Sequence, residues 1–352
     1  MGLLRKVINI LLFNSIIILL FIAIIELCFG YWFDKNNFGP YMREHRMKNQ
    51  RIVWQSESEK IVYFYRKNYY GFRGADMDPS EIEGVILGGS VIDERYKPEK
   101  YTITEFLNKR LINNNIDIKF INGGVEAQST VGLISSFNNW LFKLKNFSPK
   151  IIIFYVGIND ENKLGDETSF NMDQDGFILN PEKKEVFKDN IKSRSIIYDS
   201  LRKLKFKYLP RKGFVKYDGK LSESYLKNYS FIEYEYAENN YNYKLLKNKH
   251  NVRIKNYLNR IDLLEKYTRK INSKAVFVNN IKAEGHGEII YTLNKALIDH
   301  CTKKNYNCID LASKLIPQRD LWYDGEHTTK KGSSVIADII YSDLKKILIK
   351  SN

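Results

Sequence analysis

The stretch that decides the fold is residues 83–90, EGVILGGS, in which a short apolar run ends in two glycines and a serine. Such a run, bounded by turn residues, is typical of a buried β-strand. The glycines allow the backbone to turn sharply and expose the hydroxyl of Ser90. Open α/β sheets bind ligands beyond the carboxyl ends of their strands, where Ser90 would lie. Gly-Gly-Ser is also common turn chemistry, so an ordinary turn remains an alternative to a catalytic serine.

Outward from this strand, short apolar runs alternate with segments of helical periodicity, as in a parallel sheet wrapped by helices. The predicted strands are 83–88, 116–121, 150–156, 274–279 and 307–311, and the predicted helices are 102–113, 133–144, 252–271, 288–303 and 330–349. We therefore predict an α/β fold, a flavodoxin-like three-layer α/β/α sandwich with a five-stranded parallel sheet.

A second group of reactive residues lies near the carboxyl end, in the sequence WYDGEH at 322–327. A histidine can act as a general base, and a carboxylate can fix its tautomer and stabilise the imidazolium. Asp324 and His327 are three residues apart, so both can face one crevice from a single turn. Taken alone, the same residues also fit a helix-capping turn with a surface histidine.

In combination, these motifs resemble the sequence blocks of the SGNH (GDSL-type) serine hydrolase family, in the expected order. The resemblance implies that Ser90 is the nucleophile and that Asp324 and His327 complete its triad. It also places Gly124, in NGG at 122–124, and Asn159, in GIND at 157–160, in the oxyanion hole with the backbone N–H of Ser90.

Two departures from the family pattern are visible. The Gly-Asp-Ser of the family is Gly-Gly-Ser here, with Gly89 in the aspartate position, and Ala127 stands where the second block often has another glycine. The first leaves the nucleophile intact, and the second alters a turn more than the chemistry. The resemblance covers about residues 82–160 and 274–350.

The physical chemistry of acyl transfer fits these assignments. A serine hydroxyl needs an adjacent base, and donors aimed at the developing oxyanion usually contribute most to catalysis. The five histidines are scattered without a metal-binding spacing, so we expect neither metal nor cofactor. His286 and Trp322 are weaker candidates for substrate contact; a solvent-exposed loop is the alternative for His286.

The amino-terminal segment predicts a membrane anchor over residues 1–33. Residues 7–30 are almost wholly apolar and long enough to span a bilayer, with Arg5 and Lys6 before them and an aromatic YWF after them. The positive-inside rule then predicts a single-pass cell-membrane protein with a cytoplasmic amino terminus and an extracytoplasmic catalytic domain. A cleaved signal peptide is the alternative, although no A-x-A-like site follows the apolar stretch.

Three further regions complete the predicted organisation. Residues 34–80 connect the anchor to the hydrolase-like domain at 81–352, which contains a Tyr- and Lys-rich insertion at about 161–250. So long a connection suggests a lid or substrate-binding cap, or else a structural elaboration. Within it, residues 195–209 form an amphipathic pattern that could lie on an anionic membrane or pack against the catalytic domain.

The net charge and the predicted location limit the classes of partner that the protein is expected to bind. Lysine and arginine exceed the acids by 56 to 41, a net charge of +15, which suits anionic lipid or acidic polysaccharide. An exterior location argues against nucleic acid. It also permits disulfides, so Cys301 and Cys308 either pair or remain free thiols.

The resemblance implies ester hydrolysis or acyl transfer, with an acetyl group on a cell-envelope or extracellular glycan as the expected substrate. Composition rich in lysine, asparagine and isoleucine suggests a bacterial source. The alternative is a catalytically inactive glycan-binding or polysaccharide-assembly protein on the same fold.

Overall fold

The computed structural model describes residues 2–33, 51–55, 62–161, 187–188, 191, 194–209, 211–212 and 231–349. The strands are β1 (Arg51–Gln55), β2 (Val62–Arg66), β3 (Gly84–Gly88), β4 (Phe120–Asn122), β5 (Ile151–Tyr155), β6 (Arg211–Lys212), β7 (Lys274–Val278) and β8 (Asn307–Ile309). The helices are α1 (Gly2–Phe29), α2 (Ser90–Asp93), α3 (Ile103–Asn113), α4 (Thr130–Asn139), α5 (Ile196–Tyr208), α6 (Tyr234–Asn240), α7 (Tyr243–Lys249), α8 (Asn251–Lys270), α9 (Glu288–Lys304) and α10 (Lys330–Ile349).

The central sheet contains five parallel strands in the order β4-β3-β5-β7-β8. The first strand of this sheet, β3, lies inside it; β4 pairs on one side of β3, and β5, β7 and β8 follow in turn on the other side. This is the flavodoxin-like doubly wound order. The predicted α/β fold class is therefore confirmed. At the point where the order reverses, beside β3, the carboxyl ends of β3, β4 and β5 form one crevice.

Alternating residues of the central strands divide the core into two apolar layers. Ile86, Ile153 and Val276 face one layer, which is closed by α3 and α10. Leu87, Phe154 and Phe277 face the other, which is closed by α4, α8 and α9. Because side chains alternate between the faces of a strand, strands buried on both sides are apolar throughout. The three-layer arrangement follows from that pattern.

The edge strand β4 is shorter than predicted and begins at Phe120 rather than at residue 116. The N–H of Lys119 donates to the carboxylate of Glu83 rather than to the ladder, so pairing starts one residue later. On the outer side, Asn108 of α3 accepts from the N–H of Phe120 and donates to its carbonyl. The free edge is thereby covered by a side chain, a common protection against strand addition.

The connecting segment at 34–80 is more than a linker where the structure describes it. Its strands β1 and β2 pair antiparallel, and β6 from the insertion adds in parallel to β1. Beyond β2, the backbone N–H of Arg73 donates to the carbonyl of Asn122 at the end of β4. Lys67 and Arg73 are buried, so this segment is packed against the end of the central sheet.

The insertion at 161–250 is described in part. Helix α5 lies beside α1 and β1, whereas α6 and α7 pack on α9 around Tyr291. The predicted lid falls largely on residues 162–186 and 213–230, which lie outside the described residues. Near the end of the sheet, Cys301 and Cys308 form a disulfide, which decides between the two alternatives for these cysteines.

Helix α1 stands apart from the packed core. Its Leu4–Phe29 stretch is long and apolar enough to cross a membrane, and none of it is buried in the protein. A helix of this kind at the amino terminus is either a membrane anchor or a signal sequence.

Candidate active site

Ser90 lies at the carboxyl end of β3 and is the first residue of the short helix α2. A Cβ atom on Gly88 would lie 2.8 Å from Ile92 and 3.0 Å from the carbonyl oxygen of Tyr155, so only glycine fits where α2 folds back over β5. Val91 and Ile92 are buried in the core, while Ser90 remains partly exposed. The serine therefore stands at the crevice on a firmly packed support.

Asp324 and His327 form a hydrogen-bonded pair in the turn before α10. The Nδ1 atom of His327 lies 2.8 Å from Oδ2 of Asp324, and Oδ1 accepts the backbone N–H groups of Glu326 and His327. Burial raises the pKa of Asp324, but the hydrogen bond and charge of His327 and these backbone donors outweigh it, so the pKa lies below its usual value. An ionised Asp324 favours a proton on Nδ1 and leaves Nε2 of His327 as the base.

A buried lysine joins the histidine turn to the serine helix. The Nζ atom of Lys97 lies 2.6 Å from the Glu94 carboxylate and 2.8 Å from Oγ1 of Thr328, the residue after His327. The Glu94 carboxylate also accepts from the hydroxyl of Ser333 in α10. Burial lowers the pKa of Lys97, opposed in part by Glu94. Residues 94 and 333 are thus tied together although most of the chain separates them.

Two more buried cations come from the connecting segment. Arg73 donates to the backbone carbonyls of Asp93, Glu94 and Lys97, at 2.5 to 2.7 Å, and so holds the chain that leaves α2. Lys67 pairs with Asp93 at 2.9 Å and donates to the carbonyl of Gly124 at 2.7 Å. Neither residue was predicted to belong to the site; the signal in the sequence was the position of two basic residues close to an aromatic strand.

Among the residues that the structure describes, no hydrogen bond joins His327 to Ser90. The Asp–His part of the proposed triad is formed, while the Ser–His part is open. Catalytic hydrogen bonds are often long in unliganded enzymes and close with substrate bound.

Across the crevice, Asn159 follows β5, and its side-chain amide donates to the carbonyl of Gln128 at 3.0 Å. A Cβ atom on Gly89 would lie 2.1 Å from this amide nitrogen, so the Asn159 side chain can occupy this position only because residue 89 is a glycine. The departure from Gly-Asp-Ser therefore has a structural reason. Gly89, Gln128 and Asn159 line one small cleft.

Asp160, the next residue, fixes the loop that carries Gln128. Its buried carboxylate accepts the N–H and the hydroxyl of Thr130, at the start of α4. Arg260 of α8 donates to the same hydroxyl at 2.6 Å and lies 3.4 Å from the carboxylate. The loops after β4 and β5 are thereby held together beside Ser90.

The prediction that Gly124 supplies an oxyanion donor is not supported by its geometry. Its N–H donates to the side-chain oxygen of Asn122 at 2.9 Å, so this donor is already engaged. A Cβ atom on Gly124 would lie 2.3 Å from the backbone nitrogen of Asp93, which explains the glycine as a packing requirement. Ala127 fits the role better, since within the described chain its N–H makes no hydrogen bond and it is partly exposed.

The two weaker candidates, His286 and Trp322, are both buried. His286 makes an edge-on ring contact with Tyr234, and burial lowers its pKa to about 4. His286 has no accessible surface, so in this conformation it fits neither the predicted substrate contact nor the alternative of a solvent-exposed loop. Trp322 belongs to the apolar core beneath the turn that carries Asp324 and His327. Neither side chain is open to a substrate in this conformation.

The described residues contain no group of three or more His, Cys, Asp or Glu side chains that could hold a metal ion. The expectation of a reaction without metal or cofactor stays a prediction.

No protein-family model matches the chain. No curated protein matches it either. Many solved structures resemble it, and several of those are described as lipases or lipolytic proteins of the GDSL family; esterases are also among them. One is a member of the lipolytic G-D-S-L family from Veillonella parvula, with 12% identity over 74% of this chain and 96% of that chain and a TM-score of 0.40. Another is the esterase EstA from Pseudoalteromonas sp., with 12% identity over 76% of this chain and 98% of that chain and a TM-score of 0.42. A third is a catalytic mutant of Axe2, an acetylxylan esterase from Geobacillus stearothermophilus (11%, 76% and 96%, 0.42). At such low identity and TM-scores, the function has to be argued from the side chains of the site.

Proposed function

We propose that the protein is a serine esterase or acyltransferase of the SGNH type. The observation that carries the proposal is the bonded Asp324–His327 pair, which Lys97 ties to the helix that begins with Ser90. A base with a fixed tautomer beside a serine on a sharp strand-to-helix turn is the arrangement that nucleophilic acyl transfer requires.

In the proposed reaction, the hydroxyl oxygen of Ser90 attacks the ester carbonyl while Nε2 of His327 takes its proton. The tetrahedral oxyanion would be bound by the N–H groups of Ser90 and Ala127 and by the amide of Asn159. As the carbonyl re-forms, the alcohol leaves with the proton from His327, and an acyl-enzyme remains. A second cycle transfers the acyl group to water or to an acceptor hydroxyl.

The location and the substrate are part of the proposal. We infer that α1 is retained as a single-pass anchor with the amino terminus in the cytoplasm and the site outside it. The net charge of +15 suits an acidic cell-envelope glycan. The acyl group is proposed to be acetyl, by resemblance to the family.

The proposal is tested on the purified full chain with an acetyl ester, with and without glycan acceptors. Free acetate alone supports hydrolysis, and acceptor-dependent acetylated product supports transfer. A serine-directed phosphonate should label Ser90. A reporter fused after residue 352 should be active only outside the cytoplasm; activity inside would contradict the topology.

The open Ser90–His327 contact favours one second candidate, an inactive glycan-binding or polysaccharide-assembly protein on this fold. It predicts glycan binding with neither acetate release nor phosphonate labelling.

A further inference from the structure

The carboxylate of Glu26, in the last turn of α1, holds the start of α5. It accepts the backbone N–H groups of Ile196 and Ile197 at 3.2 and 3.1 Å, together with the hydroxyl of Ser195. The indole N–H of Trp32 also donates to it, at 2.8 Å. An acidic group among the first N–H groups of a helix satisfies donors that have no partner within the helix. Helix α5 therefore begins at the end of the membrane-spanning helix.

The position of Glu26 along α1 sets the depth of this junction. From Leu4 to Glu26 a helix rises about 33 Å, at about 1.5 Å per residue, which is close to the ~30 Å thickness of the hydrocarbon core. With the apolar stretch spanning the bilayer, Glu26 and the start of α5 lie at the level of the headgroups.

Helix α5 carries an apolar stripe with a large exposed surface. Leu201, Leu204 and Tyr208 are 61%, 53% and 69% exposed and follow one another at spacings of three and four residues. These spacings put all three on one helical face. Ser195 and Asp199, at the start of the helix, are buried.

Beyond Asp199, the charged residues of α5 and of residues 209–212 are all basic. Residues 201–212, LRKLKFKYLPRK, contain six lysines and arginines and no acid. A helix that combines apolar exposure with such a charge is typical of segments that lie in the plane of a membrane interface. Basic residues close to an anionic bilayer are attracted to its surface.

We propose that α5 is an interfacial helix that lies on the anionic bilayer in which α1 is inserted, with Leu201, Leu204 and Tyr208 among the headgroups and upper acyl chains. The proposal rests on the retained anchor but not on catalysis. Its consequence is orientation: with α1 across the bilayer and α5 along it, the domain has two contacts with the membrane and cannot turn freely about its anchor.

The test uses the full chain in lipid nanodiscs, with an environment-sensitive fluorophore on Leu204→Cys in a Cys28→Ser background. Leu245→Cys is the matched control, since Leu245 is 65% exposed on α7, which packs on the catalytic domain. The mass of the purified protein first verifies that α1 is present. The discs contain phosphatidylcholine alone or with phosphatidylglycerol, with or without a nitroxide quencher on the acyl chains.

We expect the probe at position 204 to shift to the blue and to be quenched by the lipid nitroxide, more strongly with phosphatidylglycerol. Lys205→Glu should reduce that dependence on anionic lipid. The probe at 245 should report water throughout. A probe at 204 that reports water in every disc would overturn the proposal, and so would a blue-shifted probe that the nitroxide does not quench, since this would indicate a protein partner or a second copy.

Discussion

The Ser90 side of the candidate site is held by buried cations from distant parts of the chain, whereas the Asn159 side is held by close backbone packing around one buried carboxylate. Lys67, Arg73 and Lys97 converge on the segment that follows Ser90. On the other side, glycine at position 89 makes room for Asn159, and Asp160 ties two neighbouring loops. The Ser90 side therefore depends on the connecting segment and on α10, while the Asn159 side depends on the loops after β4 and β5 and on their contacts with α4 and α8.

This difference predicts that variants on the two sides fail in different ways. Changes to the ion pairs should act on stability and positioning together, and changes to the Asn159 side should act on turnover in a protein that stays folded.

The largest effect is expected for the proposed triad. Ser90→Ala and His327→Ala should each lower kcat by about 10⁶, and the double variant should be little worse, because triad members act as a unit. Steady-state kinetics with an acetyl ester measure this. Multiplicative losses, or an active Ser90→Ala, would remove these residues from the reaction.

The ion-pair side is tested by Lys97→Met, which leaves the buried Glu94 without its cation. We expect a loss of about 3–5 kcal/mol in the free energy of unfolding, because an uncompensated buried charge is costly. Lys331→Met is the matched control: it breaks the exposed pair with Asp320 and should cost no more than about 1 kcal/mol. Equal losses in denaturant unfolding would show that burial of the Lys97 pair is unimportant.

The Asn159 side is tested by Asn159→Ala. Loss of one oxyanion donor should lower kcat and kcat/KM by about 10²–10³ with little change in KM. Asn279→Ala is the control, since Asn279 follows β7 as Asn159 follows β5 but bonds the N–H of Ala312 and the Asp310 carboxylate. It should lower the melting temperature and leave turnover near normal. The same pattern in Asn159→Ala would make Asn159 a turn residue only.

The smallest effect is expected at Ala127, whose φ of 62° lies in the left-handed region. Ala127→Gly should relieve strain of about 1–2 kcal/mol, partly offset by the greater freedom of glycine in the unfolded chain, and should preserve turnover. Ala337→Gly in α10 should instead destabilise by about 1 kcal/mol or more. Thermal melts and kinetics on the two variants decide whether Ala127 occupies a position suited to glycine.

Much of the fold was predictable because the central strands are apolar on both faces and end in recognisable turn residues. The five strands and five surrounding helices were placed within a few residues, apart from the early start assigned to β4 and the extended end assigned to α4. The later start of β4 was not predicted, because it depends on the side chain of Glu83, which takes the N–H of Lys119, and on that of Asn108, which covers the outer edge; both belong to other elements.

The candidate site was predictable where chemistry is local in sequence. Asp324 and His327 share one turn, so their spacing alone brought them together. Lys67, Arg73 and Lys97 were not predicted to belong to the site, because a buried ion pair can be recognised only when the positions of both partners are known. The oxyanion role predicted for Gly124 stays a prediction; close packing against Asp93 is by itself sufficient reason for a glycine at this position.

The disulfide between Cys301 and Cys308 has a consequence for where the chain can mature. It joins the last turn of α9 to β8 across seven residues, and such bonds form in oxidising compartments rather than in the reducing cytoplasm. Protein recovered from its native membrane should resist alkylation at both thiols until it is reduced. Protein accumulated in a reducing cytoplasm should be alkylated without reduction, so the oxidation state of this pair tests the proposed export independently of catalytic activity.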